Sequence, residues 1–140
     1  MRVFIDTNVI IDLLAKRDPF YIESQKIFSL SDSNQVELIV SSLSLVNTHY
    51  ILNDVMKVLD ARLIIGKFKV LVQSKPLSDK IIDLALNDQK FKDFEDGIQY
   101  YSALESDCQL IITRNLKDFK NSRIPVLSPK EYIARIKSES

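Results

Sequence analysis

The sequence predicts an α/β fold: a three-layer α/β/α domain around a mainly parallel central sheet of four or five strands. Three observations carry that expectation. Short, near-continuous apolar runs alternate with segments of helical apolar spacing along the whole chain, as expected of strands buried on both faces and linked by covering helices. At 140 residues and without linker, repeat or low-complexity stretch, the chain is expected to form one domain, residues 1–140. Hydrophobic residues at 46% and charged residues at 27% give the balance of a folded soluble protein.

Val3, Phe4 and Ile5 form the first strand, which breaks at Asp6-Thr7-Asn8 before helical spacing resumes in Val9, Ile10, Leu13 and Leu14. Asp18-Pro19 is read as the start of a second helix, Asp18 as its cap and Pro19 in its first turn, with Phe20, Ile27, Phe28 and Leu30 facing a core. After the polar stretch 31–35, Glu37 to Val40 reads as a strand, and Ser41 and Ser42 offer caps for a helix carrying Leu45, Val46, His49, Tyr50 and Leu52. A helix from Met56 to Ile65, a strand from Val70 to Gln73 and a helix from Ser78 to Asn87 follow. Phe94 to Glu105 is helical in pattern, Gln109 to Thr113 a very apolar strand, Ile124 to Leu127 an edge-like strand, and Pro129 opens the last helix.

Composition narrows the chemistry. The longest apolar stretches are far too short to cross a bilayer and the N-terminus lacks the order of a secretory signal, so a cytoplasmic protein without membrane association is expected. A single cysteine, Cys108, excludes an internal disulfide, and a single histidine, His49, nearly excludes the histidine-rich and Ser-His chemistries. Two glycines leave no phosphate-cradling loop. With 19 basic and 19 acidic residues the formal charge is zero, so any basic surface must be local.

Carboxylates are therefore left to carry any reaction. Asp6 stands at a strand end, Glu95 and Asp96 at a helix start, and Asp118 in the turn after a strand. Taken singly, each has an ordinary role: Asp6 as a helix cap, Glu95 and Asp96 as complements to a helix dipole, Asp118 as a turn cap and Asn115 as a left-handed turn residue. A parallel sheet would instead bring them together. Convergent carboxylates repel unless a cation is present, and Mg²⁺ or Mn²⁺ takes oxygen ligands while keeping waters.

The ordered set Val3-Phe4-Ile5-Asp6-Thr7-Asn8-Val9, Ser41 to Leu52, Phe94-Glu95-Asp96-Gly97-Ile98-Gln99 and Ile112-Thr113-Arg114-Asn115 through Asp118-Phe119 resembles the PIN-domain ribonucleases, in particular the bacterial branch related to VapC-type toxins. The resemblance spans nearly the whole chain. It implies metal ligands at Asp6 and Asp96, a further acid at Asp118 acting directly or through water, and Thr7, Asn8, Thr113 and Asn115 orienting waters and carboxylates. Many family members carry Glu where this chain has Asn47, and an amide there lowers the negative charge; Glu95 is placed to compensate, although consecutive helical residues point about 100° apart.

The resemblance further implies Mg²⁺- or Mn²⁺-assisted in-line hydrolysis of RNA phosphodiesters, the toxin role of a toxin–antitoxin pair with an antitoxin protein as partner, and a homodimer. Lys16, Arg17, Arg114 and Lys117 are candidates for gripping RNA, each also readable as a solvated surface charge. Two rivals stand beside this reading. A non-catalytic PIN-like module that binds RNA or a partner protein is motivated by Asn47 and the zero net charge. An aspartyl-phosphate enzyme or receiver would use Asp6 as nucleophile, but Asn8 occupies the place of the second Asp that such a phosphotransferase needs.

Overall fold

The computed structural model describes residues 1–139. Five strands, β1 (Arg2–Ile5), β2 (Glu37–Ser41), β3 (Gln73–Lys75), β4 (Leu110–Ile112) and β5 (Val126–Leu127), form one sheet in the order β3-β2-β1-β4-β5, every neighbouring pair parallel. Seven α-helices connect and cover it: α1 (Thr7–Leu14), α2 (Tyr21–Ser29), α3 (Ser42–Tyr50), α4 (Ala61–Phe68), α5 (Asp79–Leu86), α6 (Phe94–Glu105) and α7 (Pro129–Glu139). Among the described residues, no helix is long and apolar enough to cross a membrane.

Alternation along the strands sorts the core into two layers. Val3, Ile5, Leu38, Val40, Leu110 and Ile112 pack on one face with Val9 and Ile10 of α1, Ile27 and Phe28 of α2 and Tyr132 of α7. Phe4, Ile39 and Ile111 point to the other face, against Tyr100 and Ala103 of α6 and the loop residues Phe91 and Phe119. Each fully buried Ile or Phe contributes roughly 1.5–3 kcal/mol. Cys108 lies in the second layer with its thiol pushed up to about 11 by burial, which makes it a small core residue rather than a nucleophile.

Several local expectations hold. Ser41 Oγ accepts from Ser44 N at 3.2 Å and Ser78 Oγ from Ile81 N at 3.2 Å, capping α3 and α5. At α7, Ser128 and Glu131 form a reciprocal capping box ahead of the expected Pro129.

Others are corrected. The second helix begins at Tyr21 with Phe20 as its N-cap and no side-chain cap, so Asp18 does not cap it and Pro19 lies ahead of its first turn. The helix expected over 56–65 begins only at Ala61 and runs to Phe68. Lys57 and Asp60 take φ of 56° and 58°, a left-handed geometry that interrupts a helix, and the preceding turn, Ile51–Val55, widens into a π-helix. The strand expected over Val70 to Gln73 forms instead at Gln73–Lys75, because Lys69–Leu71 closes a 3-10 turn. Asn115 has φ −104°, outside the left-handed region, so that expectation fails.

Strand order places the site. From β1 the chain winds outward to β2 and β3, then crosses back to β4 and β5 on the opposite side of β1. The carboxyl ends of β1 and β4 thus flank a topological switch point, where open parallel sheets leave a crevice. Asp6 follows β1 and Thr113 follows β4, and Asp6 N donates to Ile112 O at 3.0 Å across that junction.

Candidate active site

Asp6 is almost fully buried, 6% exposed, and its two oxygens are held by four donors. Thr7 N donates to Oδ1 at 2.8 Å, Thr113 Oγ1 to Oδ2 at 2.8 Å, Asn8 Nδ2 to Oδ2 at 3.2 Å and Gln99 Nε2 to Oδ1 at 3.4 Å. The first of these is the cap expected of an Asp before a helix, so capping and site-building are one arrangement. Burial pushes the Asp6 carboxyl upward, the Thr113 and Thr7 hydrogen bonds pull it down, and the charge of Asp118 pushes it up again.

Asp96 lies partly buried in the first turn of α6, which Asp93 caps by accepting from Asp96 N at 3.1 Å. Its carboxyl is pushed up to about 7, first by burial and then by the charges of Asp93, Asp6, Asp118 and Glu95. Asp118 is exposed in the 3-10 turn Leu116–Phe119. The fold therefore brings all three predicted aspartates within electrostatic reach of one another. Among the described residues, no three His, Cys, Asp or Glu side chains are grouped closely enough to hold a metal ion between them; the three aspartates are coupled through their charges.

The supporting residues behave unequally. Thr113 is buried and central: its Oγ1 accepts from Asn8 Nδ2 at 3.2 Å and Asn115 N at 3.0 Å while donating to Asp6. Asn115 contributes through its backbone. Thr7 Oγ1 and Ser44 Oγ share a hydrogen bond at 2.7 Å. Asn47 does not reach Asp6; its Nδ2 donates to Glu95 Oε1 at 3.2 Å, joining α3 to α6.

The candidate RNA-binding residues separate. Arg17 and Arg114 both bind the carboxylate of Asp12, which is fully buried: Arg17 Nε at 2.9 Å, Arg114 Nε and Nη2 at 2.5 and 3.2 Å. Arg114 N also donates to Asn8 Oδ1 at 3.3 Å, and its guanidinium lies 3.9 Å from the Phe20 ring centre. Lys117 lines a cleft together with Asp96 and Asp118. Lys16 is exposed in the turn after α1, and among the described residues no ion pair links it to the carboxylates.

Sequence reasoning missed Gln99, Ser44 and Asp12. Gln99 Nε2 shares its two hydrogens among Ser44 Oγ at 2.6 Å, Thr7 Oγ1 at 2.8 Å and Asp6 Oδ1, and its Oε1 is buried without a hydrogen-bond partner among the described residues. A signal existed: Gln99 lies three residues after Asp96, on the same face of α6. Asp12 carried a weaker one, as an acid among the apolar residues of α1.

The sequence profile described as PIN domain matches residues 2–117. The chain belongs to the PIN-domain ribonuclease family, in the branch of the VapC-type toxins. Ribonuclease VapC1 of Aquifex aeolicus is 30% identical to it over 137 residues, 96% of this chain and 94% of that protein. Solved structures share the fold at lower identity. The VapBC2 complex of Rickettsia felis, crystallised with a promoter DNA fragment, is similar at 16% identity, 91% and 98% coverage and a TM-score of 0.68. VapC20 of Mycobacterium tuberculosis, a toxin that cleaves the sarcin-ricin loop, is similar at 16% identity, 78% and 86% coverage and a TM-score of 0.62. In this PIN domain the three-layer arrangement and the all-parallel sheet match that family.

The donor set of the PIN site fits a divalent ion of the oxygen-preferring kind. Carboxylate oxygens are the ligands that Mg²⁺ and Mn²⁺ favour, and such ions are held by one or two carboxylates with waters completing the shell. The Asp6 and Asp96 carboxyls are raised first by burial and further by neighbouring carboxylates, and a bound cation would favour the ionised form against both.

Proposed function

We propose that this chain is a Mg²⁺- or Mn²⁺-dependent endoribonuclease in which Asp6 and Asp96 hold the ion and Asp118 assists directly or through water. The observation that carries the reading is the coupling of three carboxylates around the β1–β4 switch point, one of them, Asp6, oriented by four donors. When bound, the ion supplies Lewis-acid stabilisation of the charge that develops on the phosphoryl group during in-line hydrolysis.

The chain's own residues do the rest. Thr113, Asn8, Gln99 and the Thr7 amide fix both oxygens of Asp6, so little reorganisation is left at the moment of reaction. Asp96, with its carboxyl near 7, ionises when a cation arrives and otherwise carries a proton part of the time near neutrality. Asp118, on an exposed turn, is open to solvent on the substrate side. Asn47 and Glu95 form an outer pair in which Glu95 supplies the charge that Asn47 lacks.

As a VapC-type protein the chain is read as the toxin of a toxin–antitoxin pair and as a homodimer. Support comes from the exposed apolar side chains Val46 and Tyr50 on α3 and Leu63 on α4, at 66%, 59% and 58% exposure, a surface of the kind that protein partners cover.

The test is cleavage of a structured RNA pool with Mn²⁺, Mg²⁺ or EDTA, beside an Asp6→Asn variant. Metal-dependent cutting lost in the variant is expected. No cutting, with no metal binding by calorimetry, would leave the non-catalytic module that Asn47 suggests.

A further inference from the structure

We infer that Lys90, Lys92 and Lys120, together with Lys117, form a preorganised groove for backbone phosphates of the RNA strand beside the cut. This inference rests on the ribonuclease reading above. The four lysines line one open cleft of about 250 Å³ that also contains Asp93, Asp96 and Asp118. None of the four has a carboxylate within salt-bridge distance among the described residues. In a protein of zero net charge, this gathers four cations beside the carboxylates, Lys90 lying near enough to Asp88 to help the Tyr101 hydrogen bond hold that carboxyl down.

Lysines on loops are ordinarily poor candidates because their backbone wanders, but these loops are tied down. Phe91, between Lys90 and Lys92, is buried and stacks on Tyr100 of α6 with ring centres 4.7 Å apart. Phe119, beside Lys120, is buried and meets Phe91 edge-on at 6.2 Å. Asn121 Nδ2 donates to Lys90 O at 3.0 Å, joining the two walls directly. Lys90 N donates to Asp88 Oδ1 at 3.0 Å, and Tyr101 Oη donates to the other oxygen of Asp88 at 2.7 Å. The buried aromatic pair thus sets the spacing of the two lysine-bearing walls.

An ammonium recognises phosphate as a point charge, without reading the base. The cleft therefore suits sequence-independent grip on a phosphodiester chain, with Asp96 and Asp118 at the same opening.

Salt dependence of binding tests this. A labelled single-stranded RNA is titrated with protein in EDTA, which stops cleavage, across a series of KCl concentrations. The fluorescence-anisotropy slope of log K against log salt is compared for wild type, the Lys90→Ala/Lys92→Ala/Lys120→Ala variant, its Lys→Arg counterpart and Lys67→Ala on α4. Each lost phosphate contact removes about 0.7 from the slope on a single strand, so the alanine variant is expected to lose about 2 while the arginine variant and Lys67→Ala keep the wild-type slope. An unchanged slope in the alanine variant, an equal loss in Lys67→Ala, or no RNA binding by wild type would each overturn the inference. RNA binding with the expected slopes but no metal-dependent cleavage would instead sink the catalytic reading and leave the groove standing.

Discussion

Asn47 Nδ2 and Glu95 Oε1 stand 3.2 Å apart, so the amide on α3 and the carboxylate on α6 meet at the rim of the site. The charge absent from one helix is present on the other. An Asn47→Glu variant would set two carboxylates against each other. In EDTA it is expected to melt roughly 2–4 °C below wild type from like-charge repulsion. With Mn²⁺ the extra acid becomes useful, and affinity by calorimetry is expected to rise about tenfold. Unchanged Mn²⁺ affinity would show that this rim lies outside the ion's reach.

Thr113→Val replaces a buried hydroxyl with a methyl of similar size. The variant strips Asp6 Oδ2 of its 2.8 Å donor and removes the acceptor used by Asn8 and Asn115 N. A loss of about 1–3 kcal/mol in urea unfolding is expected. Because the Thr113 bond holds the Asp6 carboxyl down, its removal raises that carboxyl further. Metal binding should then weaken more at acidic than at alkaline pH.

Stability should depend on pH with a definite sign. The Asp96 carboxyl is raised from 3.8 to about 7 in the folded chain, so between those values the native state binds more protons than the unfolded one. The contribution of Asp96 to stability in EDTA is therefore greatest below the lower value and is lost as pH rises toward the upper one. Asp6, raised in the same direction, adds to the slope. Asp96→Asn should flatten the profile and stabilise the protein at about pH 8 by roughly 1–2 kcal/mol, solvent screening of this partly open site limiting the gain. Thermal melts of both proteins in EDTA over the acid-to-neutral range measure the difference, and an Asp96→Asn profile that runs parallel to wild type would contradict the assignment. Mn²⁺ competes with the protons, so its affinity should climb with pH over the same window.

Asp12→Asn leaves Arg17 and Arg114 without the buried charge that both bind. A loss of about 3 kcal/mol in chemical denaturation is expected, because an ion cluster broken on one side leaves the other charges uncompensated. The variant that folds should also cut more slowly, since Arg114 N positions Asn8, which in turn donates to Asp6. A stability change within 0.5 kcal/mol, about the scatter of ordinary surface substitutions, would mean that solvent already supports both arginines.

Legibility in the sequence followed the strength of the tertiary constraint. Val3 to Ile5, Leu38 to Val40 and Leu110 to Ile112 are buried on both sides, and a strand so placed must be apolar throughout. The segment 56–65 misled for the opposite reason. Its apolar spacing resembles a helix face, yet Leu59 is 85% exposed and Leu63 58%, and the left-handed Lys57 and Asp60 break the run. Periodicity records that apolar side chains share a face, without recording whether anything inside the chain covers it.

The site divides along the same line. Asp6, Asp96 and Asp118 could be singled out from their positions and from the family resemblance, and the fold brings them within electrostatic reach of one another. Asp12, Ser44 and Gln99 were not, since each acts in part or in full through hydrogen bonds to residues 37 or more positions away. The phosphate groove was hidden too: Lys90 and Lys120 become neighbours only when Phe91 meets Phe119 in the core.

Sequence by itself determined the layer architecture, the scarcity of histidine and cysteine, and the placing of three aspartates next to strand ends and helix starts, because these depend on residue type and local spacing. Tertiary structure alone decided that β1 and β4 lie side by side, that Asp12 binds two arginines, and that Asn47 donates directly to the Glu95 the sequence had set against it. Those relations depend on which distant segments the packing of two buried layers brings within a few ångströms, a distance that no local pattern encodes.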